Sequence, residues 1–496
     1  MSAPPTPPDR ISQLNSHAPR PGGNFVLYWM IAARRPRWNF ALQRAVQVAT
    51  ELDRPLLVLE PLRAGYRWAS DRQHAFVLQG MASNREAFEG SGATYRAYVE
   101  PEHGAGSGLV EALAEGACAI VTDDWPCFFL PRMTAALAER VEVAVEAVDS
   151  NGIYPMHSTD RVFTTAASFR RHLQKNLYEP LQQFPVENPL DGASLPRLSD
   201  LPARIDERWP EPSDTLLAGT AEALADLPID HTVTPVADRP GGWRAGRAHL
   251  AAWIESGFAR YHESRNDPVD EVASGLSPWL HYGHIGAHEV FTAVAKHDGW
   301  APDDVADVAS GSREGWWGMS PAAEAFMDEL ITWREIGFNR CALTDDFDRF
   351  ESLPNFARET LETHAGDPRE HLYQLEAFER AETHDELWNA AQTQLVRTGR
   401  IHNYLRMLWG KKVLEWTATP REALDVLIEL NNKYALDGRD PNSYSGIFWT
   451  LGRYDRAWGP ERPVFGKIRF MSSDNTRRKL KVGAYLEQHA PGRLFS

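Results

Sequence analysis

Five short apolar runs between residues 25 and 148 set the strongest constraint on how this chain can fold: F-V-L-Y-W at 25–29, L-L-V-L at 56–59, Y-R-A-Y-V at 95–99, C-A-I-V at 118–121 and the stretch 141–148. They have the length and composition of buried β-strands, and amphipathic helix-length stretches separate them. Strand and helix in alternation imply a parallel sheet with helices on both faces, an α/β doubly wound layer. Gly116 and Ala117 before the fourth run, and Asp123 and Asp124 after it, are its punctuation. No G-x-G-x-x-G follows the first run, so a dinucleotide fingerprint of that type is absent.

A chain of 496 residues is too long for one hydrophobic core. Proline and acidic residues dominate from about 180 to 235, as in F-P-V-E-N-P and W-P-E-P, and this reads as a long connection with little regular structure. Beyond it, segments 246–260, 286–297, 321–338, 385–414 and 420–433 are helix-length and bounded by Pro, Gly, Asp or Thr. The expected organisation is a disordered lead-in at 1–23, an α/β domain at 24–175, a linker at 176–235 and an all-α domain at 236–496. Residues 1–23 lack an apolar signal core, so no secretion signal is expected and the chain reads as cytoplasmic, with access to the nucleoid. No run of 18 apolar residues occurs, which argues against a membrane span. Cys118, Cys127 and Cys341 are too few and too scattered for a disulfide framework or a thiolate metal site.

A net charge of −16 opposes nucleic-acid binding unless the charge is unevenly spread. It is uneven: residues 397–481 carry 17 Lys and Arg against 9 Asp and Glu, which places a basic surface in the C-terminal part.

That same part holds the most unusual chemistry. Trp388, Trp409, Trp416 and Trp449 stand amid Arg, Lys, His and Asn, with an L-N-N-K-Y segment and a D-G-R-D turn between them. A core built for volume alone would favour Leu, Ile and Val, so the pattern reads as a redox chromophore site. Trp409 and Trp416 lie two helical turns apart and share a face. Upstream, S-G-L-S-P-W-L-H-Y-G-H-I at 274–285 puts hydroxyl residues and Pro at a helix start, which suits either an anion or a plain N-cap. His281, His284 and His288 have a metal-like spacing without a carboxylate or thiol complement, and no metal is expected. Glu329 and Trp333 lie four apart and project from one helix face. A carboxyl in an apolar cleft there would have a raised pKa and could donate a hydrogen bond.

These motifs, together with R-P-V-F-G-K-I-R at 462–469, resemble the class II cyclobutane pyrimidine dimer photolyases of the photolyase/cryptochrome superfamily, over nearly the whole chain. The resemblance implies an all-α domain that binds FAD. It implies that Tyr261, Ser274, Leu276 and Ser277 hold the flavin diphosphate, that Asn431 faces the ring N5, and that Arg406 and Asp437 form an ion pair beside the ring, with Asn403 lining the cavity. Trp388, Trp409 and Trp416 match an electron chain running in from the surface. Glu329, Trp333, Met407 and Trp449 match a lesion pocket whose two indoles sandwich the extruded bases. Arg456 is implied to enter the space the bases leave, and Lys467 and Arg469 to meet phosphates. The implied activity is light-dependent splitting of cyclobutane dimers in UV-damaged DNA by a monomer, aided by an antenna chromophore of unidentified type in the α/β domain. The chain departs from the family pattern at Asn403, where Gly is common, and at Tyr454, where the family has His. A cryptochrome-like receptor is opposed by the four pocket residues, and a six-four photolyase by the tryptophan lining.

Overall fold

The computed structural model describes residues 4–491. Six strands form one sheet: β1 (Ile11–Gln13), β2 (Phe25–Trp29), β3 (Leu56–Leu62), β4 (Thr94–Val99), β5 (Ala117–Asp123) and β6 (Ala144–Val148), in the order β1-β6-β5-β2-β3-β4. All neighbours run parallel except β1 against β6. Alternate residues of β2 enter opposite cores. Phe25, Leu27 and Trp29 meet Ile120 and Val145 on one face, and Val26 and Tyr28 meet Phe40, Val58 and Val121 on the other. A sheet covered on both faces needs apolar residues at every strand position, which is why these runs do not alternate with polar ones.

Residues 4–23 correct the expectation of a disordered lead-in. Ile11–Gln13 pairs with β6, and Arg10 is buried, donating to the carbonyls of Gly152 and Ile153 at 3.1 and 2.7 Å beside Asp149. Backbone pairing and one buried guanidinium hold this edge strand, and neither leaves an apolar signature in a Pro-, Ser- and Arg-rich stretch. The first three residues of the expected lead-in lie outside the described residues.

The segment expected as a linker is also built into the fold. It contains helices Ala203–Arg208, Asp214–Leu217 and Ala221–Leu224, the last two N-capped by the Ser213 and Thr220 side chains. Ile205 and Trp209 join the core on one face of the sheet, and Trp209 Nε1 donates to the Ala105 carbonyl at 3.0 Å.

The chain divides into two compact units that do not follow the expected borders. The sheet unit comprises the residues up to Asp160 with Asn176–Ala252 and Leu276–Pro302, and the helical unit comprises Arg161–Lys175, Trp253–Gly275 and the residues from Asp303 on. Part of the expected all-α domain therefore belongs with the sheet. His284 and His288 lie fully buried there, His284 accepting from the Gly242 amide at 2.9 Å and His288 beside Arg10.

In the helical unit, Ser320, Asp385, Thr419 and Asp440 each cap a helix start through their side chains. The expected helix 385–414 is two helices, Glu386–Thr398 and Asn403–Trp416. Gly399 ends the first in left-handed conformation, φ 68°, and its amide donates to the Leu395 carbonyl. The expected helix 321–338 is interrupted by a π-helical turn, Asp328–Trp333, that carries both Glu329 and Trp333.

Candidate active site

Three neighbouring groups of side chains make up the candidate site in the helical unit. The first joins helices Asn403–Trp416 and Pro420–Tyr434 to the D-G-R-D turn. Arg406 donates to Asp437 Oδ1 at 3.3 Å and to Asn431 Oδ1 at 3.5 Å, and both charged side chains keep partial exposure, 20% and 15%. The Asn431 amide nitrogen is occupied by Asn432 Oδ1 at 3.2 Å and Ser443 Oγ at 2.6 Å. This network fixes the orientation of the amide and turns its oxygen towards Arg406. Gly438 is required in the turn, because a Cβ there would lie 2.9 Å from the Asn431 carbonyl and from Asn432 Cα. Asn403 is exposed at the start of its helix, next to the buried His402, whose Nδ1 has no protein partner among the described residues. Burial beside Arg400 brings the His402 pKa down to about 4, so the ring is neutral at pH 7.

The second group is the tryptophan cluster. Trp388 and Trp409 stack with centroids 6.4 Å apart and planes at 6°, while Trp388 and Trp416 meet edge-on at 6.0 Å. Trp388 is therefore the middle ring, joined to Trp409 also by a 3.0 Å hydrogen bond from its Nε1 to the Trp409 carbonyl. Trp409 Nε1 donates to Gln392 Oε1 at 2.9 Å. All three indoles are buried, so none of them is itself the surface end that the resemblance implied. Two residues missed in the sequence flank Trp416: Tyr373, half-buried at 5.8 Å, and His384, exposed at 4.9 Å, with the Tyr373 hydroxyl 2.8 Å from His384 Nδ1. The H-L-Y and T-H-D contexts of these residues carry no signal of their own.

The third group is a set of partly exposed side chains, Glu329, Trp333, Met407 and Trp449. Trp333 and Trp449 touch at 5.5 Å with planes tilted by 39°. Rings this close leave no slot for a base between them, so they form one continuous aromatic wall rather than the two jaws of a sandwich. Met407 is half-buried one residue beyond Arg406, on a helix that packs against the helix of Trp449. Glu329 lies on the same π-turn as Trp333, an irregularity that recurs at functional sites. The Glu329 side chain keeps 35% exposure, yet the protein packed around its carboxyl pushes the pKa up to about 6, against the pull of Arg265, 3.5 Å away; Asp328 adds to the upward shift. Arg265 was not singled out in the sequence; it lies 64 positions from Glu329 and also packs over the ring of Tyr261 at 5.6 Å. Tyr261 is buried, and burial together with the Glu329 charge raises its pKa, so its hydroxyl stays protonated. Ser274 belongs to the helical unit, whereas Leu276 and Ser277 belong to the sheet unit. Helix Ser277–His281 has Pro278 in its first turn but no side-chain cap, with Leu276 at the N-cap position, which corrects the plain-cap reading of that run.

Arg456, Lys467 and Arg469 are all exposed on the segment that follows Trp449. Arg456 and Arg469 lie over the Trp458 ring at 4.6 and 5.2 Å, while Lys467 pairs with Glu461 at 3.1 Å. Tyr454, which stands where the resemblance expected His, is buried with φ 63°. No group of three or more His, Cys, Asp or Glu side chains among the described residues is placed to hold a metal ion, and no described helix is long and apolar enough to cross a membrane.

The sheet order and the helical unit define a fold that has solved counterparts. The fold is shared with a class III photolyase from Agrobacterium tumefaciens, at TM-score 0.65 and 16% identity over 94% of this chain and 86% of that one. It is shared equally with a cryptochrome from Synechocystis sp. PCC6803, at TM-score 0.66 and 15% identity over 96% and 89%. No family model matches the chain. It is 31% identical to a deoxyribodipyrimidine photo-lyase from Methanothermobacter thermautotrophicus over 97% of this chain and 98% of that protein, and 34% identical to one from Oryza sativa subsp. japonica over 96% and 89%. The chain belongs to the deoxyribodipyrimidine photo-lyase family.

Proposed function

We propose that this protein is a light-dependent DNA repair enzyme that splits cyclobutane pyrimidine dimers, of the class II type, with FAD as its working cofactor. The observation that supports this most is geometric: the π-turn that carries Glu329, paired with Arg265 at 3.5 Å, also carries Trp333, whose ring meets Trp449 of helix Pro441–Thr450 at 5.5 Å. A receptor that binds no lesion has no need of a partly exposed carboxyl beside two partly exposed indoles.

The residues present fit a flavin. Arg406, Asp437 and Asn431 keep long mutual contacts of 3.3 and 3.5 Å that a ring edge could share, and Asn431 presents an acceptor oxygen of the kind a reduced ring N–H needs. When bound and reduced, FAD supplies the electron that light makes available for opening the dimer. The protein's own task is positional. Arg406 and Asp437 hold opposite charges beside the ring, and Asn431 is locked by Ser443 and Asn432. Trp388, Trp409 and Trp416 offer a chain of oxidisable rings within contact distance. The Trp333–Trp449 wall stacks against the extruded bases, since chemistry on a base first requires its removal from the duplex. Protonated Glu329 donates to a pyrimidine carbonyl as charge builds on it, with Arg265 alongside. Exposed Arg456 enters the space the bases leave and exposed Arg469 meets the DNA backbone, while Lys467 must first leave Glu461 to do so. The sheet unit would hold an antenna chromophore, and the active form is a monomer.

An absorption spectrum of the purified protein, followed by illumination with oligonucleotides carrying either a cyclobutane dimer or a six-four photoproduct, tests the reading. Flavin absorption and restoration of the cyclobutane dimer alone are expected. A protein that cannot be loaded with FAD, or that restores neither lesion, would overturn it.

A further inference from the structure

Lys411 is buried where helices Asn403–Trp416 and Pro441–Thr450 cross. The crossing is close, because a Cβ on the preceding Gly410 would come within 2.5 Å of Thr450 Cγ2. Lys411 Nζ donates to the Thr450 carbonyl at 2.5 Å. Thr450 is the last residue of its helix, and such terminal carbonyls have no partner within the helix. The neighbouring carbonyls are already taken, that of Phe448 by the Leu451 and Arg453 amides and that of Trp449 by the Gly452 amide. An ammonium at this end is also favoured by the helix dipole. A buried ammonium is costly to maintain without water, so its persistence at this crossing calls for a role.

We propose that Lys411 is a positioning residue for the lesion pocket, its ammonium tying the end of the helix that carries Trp449 to the helix that carries Met407. The proposal rests on the reading of Trp449 and Met407 as pocket walls. The charged groups that face Lys411 are Asp455, which favours the ammonium, and Arg469, which opposes it. Burial is the larger influence and brings the Lys411 pKa down to about 7. A neutral amine is a weaker donor and carries no charge for the helix end, so the tie loosens as pH rises through neutrality.

The test uses the full chain loaded with FAD, as wild type, Lys411→Met and Lys411→Arg. Amide hydrogen exchange of residues 447–454 is measured without DNA, each variant being compared with wild type at the same pH. At pH 6 the Met variant is expected to exchange on the order of fivefold faster than wild type, the scale of a cation at a helix end. At pH 8.5 that ratio should fall towards one. The Arg variant, whose charge does not titrate, should match wild type at pH 6 and be better protected than it at pH 8.5. Preference for dimer-containing over undamaged duplex should drop in the Met variant by a similar factor at pH 6, with FAD content and flavin photoreduction unchanged. Equal exchange in Met variant and wild type at both pH values overturns the tie; should the Met variant not fold, an Arg variant that tracks wild type at pH 8.5 overturns it. If wild type itself shows no preference for damaged duplex, the pocket reading fails and Lys411 is no longer a lesion-pocket residue, whatever the exchange shows.

Discussion

Trp388 stacks on Trp409 with planes only 6° apart and meets Trp416 edge-on at 6.0 Å, so one fully buried indole is the sole described ring that touches both of the others. Replacing either Trp388 or Trp409 by Phe should therefore block photoreduction of oxidised flavin, while repair by chemically reduced enzyme remains. Absorbance at the flavin band under blue light checks the first half and dimer repair in the presence of dithionite the second; undiminished photoreduction in both variants would remove the electron chain. Trp388→Ala should also destabilise the fold, by about 3–5 kcal/mol as for a large buried aromatic.

Glu329 gives a pH dependence whose sign is set by its raised pKa. Between the ordinary value of 4.5 and about 6 the folded carboxyl holds a proton that the unfolded one has released, so its contribution to stability is full below pH 4.5 and gone as pH rises through 6. The hydrogen-bond donor is lost in the same direction, so the repair rate should carry a falling limb with its midpoint at or above pH 6. Glu329→Gln, whose amide donates without titrating, should remove that limb, whereas Glu329→Ala removes the donor itself and should lower the repair yield, both with FAD content normal. Loss of one such donor typically costs about 2.7–4 kcal/mol of barrier. A Gln variant with the parental pH profile and an Ala variant with the parental yield would displace Glu329 from the chemistry.

Trp449→Ala removes half of the aromatic wall. Binding of damaged duplex should weaken by roughly 1–3 kcal/mol, the worth of stacking one base on an aromatic ring, while affinity for undamaged duplex stays nearly constant. Titration of labelled oligonucleotides reads both, and parallel losses would place Trp449 outside the pocket.

Binding to damaged DNA should weaken with added salt although the whole chain carries −16, because in the proposed complex exposed basic side chains such as Arg469 would displace counterions from phosphates. Lys467→Ala should change the salt slope less than Arg469→Ala, since Lys467 already pairs with Glu461. A slope of zero would contradict the backbone contacts.

Gly410→Ala should lower the melting temperature, since the new Cβ meets Thr450 Cγ2 at 2.5 Å and the two helices must part. The expected cost is that of overpacking, about 1–3 kcal/mol. Thermal unfolding of the FAD-loaded protein decides it, and an unchanged midpoint would mean that the crossing is loose.

The sheet was legible in the sequence because a strand buried on both faces has no choice but to be apolar throughout, as at Phe25–Trp29 and Leu56–Leu62. That Trp388, Trp409 and Trp416 belong together was legible because indoles set among Asn, Arg and Lys are not what packing alone selects. The edge strand Ile11–Gln13 was not, since its stability comes from backbone pairing with β6 and from Arg10, whose partners at residues 149–153 lie far along the chain. Periodicity correctly put Glu329 and Trp333 on one turn, yet it implied an α-helix where the backbone takes a π-turn. Spacing along a chain tells which residues share a face, and it says nothing of what covers that face. Arg265 beside Glu329, Tyr373 and His384 around Trp416, and Thr450 over Lys411 are each supplied by a distant segment, and only the tertiary structure could decide them.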